Sequence, residues 1–369
     1  MKLTKFLAVA FAALAIVGCG NEEPTPATPT PAPAVGGITL KASTNASVAG
    51  EYVTFTVEDS EGQDVTGLAQ IYDPELNELL DKKFTTDEPG TYSFFATLNG
   101  NTSNTVLVRF LATMPNIPAD PDAANLWFNH RPLVIDHTGV NCGACPNAMD
   151  NLLSLEKSVM HGKYNEVTCH AGDYAGGDPA SSSAATTLYQ YQSKYVGGWP
   201  TIIVNFNNKS ANYLMNSIVT ELNKVLQPDG ADVGISLAVE GDQDAIYCAA
   251  QVKSAVEKEY FINAWLLESN IYSPNQSGGT KDHHFTYNYA LRNFSEKVSA
   301  TNIAGTSLGV IAEGETVNYG CQIEMISTKW VSANMGVLVV VCAKDSKNRI
   351  DVVNSAYCKI GETMPYEYL

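Results

Sequence analysis

Residues 131–158, RPLVIDHTGVNCGACPNAMDNLLSLEKS, hold the reading that decides the fold. Pro132-Leu133-Val134-Ile135 is a short apolar run with the length and composition of a buried strand. Thr138-Gly139-Val140-Asn141 is rich in turn residues. Then come Cys142-Gly143-Ala144-Cys145-Pro146, and Met149, Leu152, Leu153 and Leu155 recur at helical spacing. A strand, a Cys-x-x-Cys pair and a helix, in that order, predict redox chemistry. Cys142 is expected at the helix N-terminus, where unpaired N–H groups and the helix dipole stabilise a thiolate. Pro146 suits the first turn, where its missing N–H costs nothing.

Asp136 stands six positions before Cys142, and Val196-Gly197-Gly198-Trp199-Pro200-Thr201-Ile202-Ile203-Val204-Asn205 follows downstream. Together these resemble the thioredoxin superfamily, with its buried acid beneath the second cysteine and its cis-proline loop leading into a strand. The resemblance implies a cis bond at Pro200. Two other readings of the cysteine pair stay open. One is half a zinc site, although no second Cys or His pair stands at ligand spacing. The other is a structural disulfide on the same scaffold.

The chain begins with Lys2 and Lys5 before an apolar run, Phe6 to Val17, too short to span a membrane and readable as a signal peptide. Ile16-Val17-Gly18-Cys19 resembles a bacterial lipobox, which implies cleavage before Cys19 and lipidation of its thiol. Glu22-Glu23 resembles a surface-export signal of some Gram-negative anaerobes. Pro24 to Pro33 alternates Pro with Thr and Ala, an extended tether with nothing to bury.

The 369 residues suffice for two or three domains, and the net charge of −17 argues against nucleic acid, whose phosphates would be repelled. Export would place the cysteines where disulfides persist. Seven of the eight cysteines lie beyond Cys19, an odd number, so at least one free thiol is expected.

From Gly37 to Ala112 the pattern is strand-like: Val53, Phe55 and Val57 alternate with Thr54 and Thr56, and Tyr92, Phe94 and Ala96 share a face. About seven short strands here suggest an immunoglobulin-like sandwich. Met114-Pro115 through Pro121, within a linker spanning 113–130, is polar and proline-punctuated with no core of its own. In the middle segment Glu166 to His170 reads as a strand, Ser181 to Tyr195 and Tyr213 to Leu226 as helices. His170 and Asp173 invite a metal or acid–base reading, set against a plain strand-end His and loop Asp. His137 either tunes the thiols or is structural, and Cys169 is expected as a core residue. The last segment alternates again at Val233 to Val239, Ile246 to Val252 and Val317 to Met325, a second sandwich-like pattern. Cys248, Cys321 and Cys358 fall on its apolar faces, as thiols or disulfides. Asp282-His283-His284 is a weak metal candidate, since adjacent side chains rarely aim at one ion.

From about Arg131 to the end the chain resembles the outer-membrane lipoproteins related to outer membrane protein twenty-eight. The resemblance rests on Leu133 to Gly139 leading into Cys142 to Pro146, on His170-Ala171-Gly172-Asp173-Tyr174 and on Gly198-Trp199-Pro200-Thr201. It continues through Ala264-Trp265-Leu266-Leu267-Glu268, Tyr289-Ala290-Leu291-Arg292 and Trp330. His137 and Trp199 depart from the usual pattern.

The expected organisation is a signal peptide (1–18), a lipidated tether (19–36), an Ig-like β-sandwich (37–112), a linker (113–130), an α/β thioredoxin-like domain (131–227) and a C-terminal β-sandwich (228–369). The expected function is thiol–disulfide exchange with exported proteins, by a chain lipid-anchored at the outer membrane and exposed at the cell surface. Cys142 would be the nucleophile, Cys145 the resolving thiol and Asp136 its proton acceptor, with Trp199 and Pro200 holding substrate. No cofactor or metal is implied. The alternative is a non-catalytic surface binding or adhesion lipoprotein that uses the same fold as a scaffold.

Overall fold

The computed structural model describes residues 37–369 except 45, 74, 172–176 and 297. The leader, Cys19 and the tether lie outside the described residues, and so do Gly172, Asp173 and Tyr174.

The first unit has strands β1 (Ile38–Ala42), β2 (Ala46–Val48), β3 (Val53–Asp59), β4 (Gln70–Tyr72), β5 (Lys83–Phe84), β6 (Gly90–Leu98), β7 (Asn101–Thr102) and β8 (Val106–Leu111). They form two sheets, β1-β3-β5 and β2-β8-β6-β4, with β7 beside β6. Alternation does the sorting: Val53, Phe55 and Val57 are buried while Thr54 and Thr56 are exposed. Phe55 from one sheet meets Phe94 from the other at 4.6 Å between ring centroids, the centre of a shared core.

The middle segment supplies β9 (Leu133–Thr138), α1 (Cys145–Glu156), β10 (Asn165–His170), α2 (Ser183–Tyr191), β11 (Thr201–Val204), β12 (Asn208–Lys209) and α3 (Met215–Val225). The last segment adds β13 (Val233–Gly241), β14 (Ala245–Ser254), β15 (Lys258–Glu268), β16 (Ile271–Tyr272), β17 (Thr286–Tyr287) and β18 (Ala290–Phe294). It ends with β19 (Thr306–Ile311), β20 (Thr316–Glu324), β21 (Met335–Lys344), β22 (Ile350–Lys359) and β23 (Thr363–Met364).

One nine-stranded sheet runs β12-β11-β9-β10-β18-β15-β21-β22, with β19 beside β15. The sheet does not stop at the expected boundary of 227/228. β10 pairs in parallel with β18 through Thr168 and Ala290, so the two segments share one layer. β9 is buried on both faces, as befits an interior strand with parallel and antiparallel neighbours. On one face Val134 packs with Leu152, Leu155, Ile218 and Leu222 of α1 and α3. On the other, Leu133, Ile135, Val167 and Cys169 pack with Ala185 and Leu188 of α2. Each such buried aliphatic chain contributes about 1.5–3 kcal/mol. A second sheet, β20-β14-β13-β23, covers the far part of the long one, and Leu237, Val239, Val252, Leu266 and Val339 fill the space between.

The linker expected over 113–130 is docked against the last segment. Phe128 is fully buried among Ala231 and Tyr366, and a Cβ at Gly234 would meet its ring at 2.2 Å. Lys253 Nζ reaches back to Asp120 Oδ2 at 3.0 Å and the Ala123 carbonyl at 2.6 Å. Cys142 and Cys145 form a disulfide; Cys169, Cys248, Cys321, Cys342 and Cys358 are buried thiols. Among the described residues no helix is long and apolar enough to cross a membrane.

Candidate functional site

The turn from β9 into α1 builds the site. Cys142 N–H donates to the Gly139 carbonyl at 3.1 Å, and Cys145 N–H to the Cys142 carbonyl at 3.2 Å. The helix begins at Cys145, with Ala144 as its N-cap and Pro146 in its first turn. This corrects the expectation for Cys142, which stands one turn ahead of the helix rather than on its first residue. The tight turn bond to its carbonyl is the reason. Cys145 is fully buried, whereas Cys142 is partly exposed.

The Trp199–Pro200 bond is cis, as the loop pattern implies. Thr201 and Ile202, just beyond it, pair with His137 and Asp136 of β9, which brings the loop to the end of the sheet that carries the cysteines. A Cβ at Gly139 would meet the Trp199 ring at 2.6 Å, so the glycine is what lets the indole lie against the turn. Trp199 and Tyr189 meet edge-on, with centroids 6.4 Å apart. With Cys142, Gly197 and Gly198 they line a groove of about 520 Å³. Trp199 lines the groove directly, and Pro200 shapes the backbone that carries it.

Asp136 is buried, and its Oδ1 has no hydrogen-bond partner among the described residues. Burial, and then the nearby Glu166 carboxylate, push its carboxyl well above the ordinary range. It sits on the face of β9 toward α1, the helix that begins at Cys145. His137, on the opposite face, shares a 2.8 Å hydrogen bond between Nε2 and Gln192 Oε1. The amide oxygen accepts, so Nε2 carries the proton. Burial pushes His137 down to about 4.

These two neighbours pull stability in opposite directions as pH changes. Between about pH 6.5 and 4 the unfolded chain protonates its imidazole while folded His137 stays neutral, so stability falls with pH there, by up to about 3 kcal/mol. Folded Asp136 takes its proton at higher pH than the unfolded carboxyl, so its cost is fullest at high pH and fades toward 3.8. Asp136→Asn, which removes the buried charge and keeps the shape, should therefore stabilise the fold at about pH 8, on the order of 2 kcal/mol. The gain should shrink toward about pH 4. Urea unfolding at the two pH values checks this, and a loss at the higher one would contradict it.

Four contributors were not visible in the sequence. Asp178 partners His170: Nδ1 and Oδ2 lie 2.8 Å apart. Although burial opposes it, His170 and the N–H groups of Ala180 and Val140 hold the Asp178 carboxyl below its ordinary range. Gln276, from the last segment, donates through Nε2 to the Cys142 carbonyl at 3.1 Å, and Ser277 N–H donates to the Val140 carbonyl at 2.8 Å. Gly278 has φ +72°, and a Cβ there would lie 2.3 Å from the Gly143 carbonyl oxygen, so only glycine permits this approach. The clue was the glycine-rich run Ser277-Gly278-Gly279, which carries no partner information by itself.

The candidate metal triplet is also rearranged. Asp150 of α1, not Asp282, meets His283 Nε2 at 2.7 Å and His284 Nε2 at 3.1 Å through Oδ1. Lys281 Nζ lies 2.6 Å from Oδ2. His284 Nδ1 accepts the N–H groups of Thr280 and Lys281, so its Nε2 holds the proton and donates to Asp150. An ammonium on the carboxylate and a proton on the imidazole make this a clasp between α1 and the last segment.

No family model matches the chain, and no curated protein matches it. Among solved structures, HBP35 of Porphyromonas gingivalis is similar in fold, with a TM-score of 0.51 at 15% identity over 65% of this chain and 78% of its own. Two structures of beta-glucosidase from Kluyveromyces marxianus, one in complex with glucose, align over 37% of this chain and 15% of theirs. Their TM-scores of 0.18 and 0.17, at 12% and 11% identity, are too low for a shared fold.

Proposed function

We propose that this chain is a lipid-anchored thiol–disulfide oxidoreductase acting on exported proteins, its middle segment a thioredoxin-like domain between an Ig-like sandwich and a C-terminal one. The observation that carries the reading is the Cys142–Cys145 disulfide beside the cis Trp199–Pro200 bond, opening on a groove, with Asp136 buried on the strand below. In the reduced protein the Cys142 thiolate attacks one sulfur of a substrate disulfide and releases the other as a thiol. Cys145 gives its proton to Asp136, attacks the Cys142 sulfur and frees the substrate, leaving the substrate reduced by two electrons and the Cys142–Cys145 bond formed. The reverse sequence oxidises a substrate dithiol. The anchor at Cys19, the outer-membrane location and the family resemblance to outer membrane protein twenty-eight belong to this proposal and rest on the sequence alone.

A second reading, a surface binding lipoprotein with the same scaffold, is favoured by the packing of Gln276, Ser277 and Gly278 against the cysteine turn. Alkylation separates the two. After reduction, a thiol reagent at neutral pH should label partly exposed Cys142 well before buried Cys145, read site by site by mass spectrometry. Equal, slow labelling of both, from a pair that glutathione does not reduce, would leave the binding reading standing instead.

A further inference from the structure

A cavity of about 440 Å³ lies between α1, the β9/β10 pair and the last segment, away from the thiol groove. Its size is that of a small-molecule site. Its floor is unusual. Interior strands of a parallel pair ordinarily carry apolar side chains, yet here Asp136 faces Thr168 across the register and His170 faces Thr138. Glu166 lies on the same face of β10, two residues from Thr168.

Two of these groups are unfinished. Among the described residues Asp136 Oδ1 and His170 Nε2 are buried atoms with no partner, on residues only 1% exposed. His170 has its Nδ1 committed to Asp178, which leaves Nε2 at the cavity wall. Buried polar atoms are nearly always paired, so two in one cavity point to a ligand that pairs them. The walls include the rings of Tyr287, Tyr289 and Tyr357. Asp136, Glu156 and Glu166 all line the cavity, while the one lysine of the lining, Lys359, is exposed.

We propose that this cavity binds a small organic cation, an ammonium or guanidinium carried on an apolar or aromatic body. Acceptor atoms of Asp136 and Glu166 would receive its N–H groups, and the tyrosine faces would hold its charge and its body. The carboxyls behave as expected of an uncompensated acidic floor. Burial and then Glu156 push Glu166 up to about 7, and Asp136 is raised by burial and then by Glu166. An anion would be repelled by this floor, and a wholly apolar ligand would leave it unpaired.

The test is calorimetry on the folded protein at about pH 8, where Glu166 is ionised. The probes are 4-(2-aminoethyl)phenol and its uncharged counterpart 4-(2-hydroxyethyl)phenol. The amine should bind saturably and at least about tenfold more tightly than the alcohol. Glu166→Gln, which keeps the shape and removes the charge, should weaken the amine by about tenfold. Leu153→Trp, at a half-exposed position on the cavity rim, should block it. Leu153→Trp should melt with the parent protein, since the position is half-exposed, and Glu166→Gln should melt no lower than the parent, since it removes a carboxylate whose charge burial disfavours. Equal binding of amine and alcohol, no binding of the amine, or an amine affinity unchanged by Glu166→Gln would each overturn the proposal.

Discussion

A Cys145→Ala chain, reduced and mixed with a disulfide-bonded exported protein, is expected to stop at a covalent complex. Cys142 is the partly exposed member of the pair and opens on the groove walled by Trp199 and Tyr189. Its attack needs only the outer sulfur, so the mixed disulfide should form at close to the parental rate. Release needs the second thiol held against the first, an advantage of orientation that a free thiol in solution lacks. Turnover should therefore fall by about a thousandfold or more, in line with losses seen when one member of a catalytic unit is removed. Cys142→Ala should abolish both complex and turnover, because among the described residues the other five thiols and Cys145 are all buried. Asp136→Asn should slow release more than first attack, since the acid serves the second sulfur. Non-reducing gels and single-turnover kinetics distinguish these steps. Full turnover by Cys145→Ala would sink the two-thiol mechanism.

The second large effect is structural. Glu268 and Arg292, on neighbouring strands β15 and β18, are each 3% exposed at the side chain, with Nε 2.7 Å from Oε2. Glu268 Oε1 also accepts the Val331 N–H at 3.0 Å. Arg292 donates its other groups to the carbonyls of Pro179 at 2.9 Å and Ser181 at 3.2 Å, and stacks over Trp330 at 5.5 Å. The guanidinium thus ties the approach to α2 into the last segment. Glu268→Leu would strand a buried cation, which costs about 3–5 kcal/mol. Glu268→Leu with Arg292→Met should recover much of that loss, because the stranded charge, not the missing contact, carries the penalty. Chemical unfolding of the three chains measures the cycle. A single Glu268→Leu loss below about 1 kcal/mol, the scale of an exposed pair, would mean the pair is far better solvated than its burial indicates.

The conserved logic of short range was readable beforehand. Period-two alternation marked β3, β6, β13, β14 and β20, because side chains of a strand point to opposite faces whatever the strand pairs with. The cysteine turn followed from a strand, a turn and a helix contiguous in the chain, whereas the cis bond at Pro200 and the burial of Asp136 were implied only by the family resemblance of residues 131–146 and 196–205. α1 and α3 were legible from apolar residues three and four apart. The start of α1 was misjudged by one turn, since a turn bond and a first helical bond look alike in sequence.

What the amino-acid sequence determined by itself is therefore local: which stretches are strands or helices, which side chains face inward, and where two thiols stand three residues apart. Sheet order was decided by the tertiary structure, and with it every partner drawn from afar. The pairing of Thr168 with Ala290 joins two segments that read as separate units. Gln276 on Cys142 and Asp150 between two histidines follow from that joining, while Asp178 meets His170 within the middle segment. The physical reason is that periodicity reports the direction of a side chain relative to its own backbone, whereas hydrogen bonds and ion pairs depend on which other backbone lies opposite. That choice is made by the summed burial of whole faces, and no short window of sequence contains it.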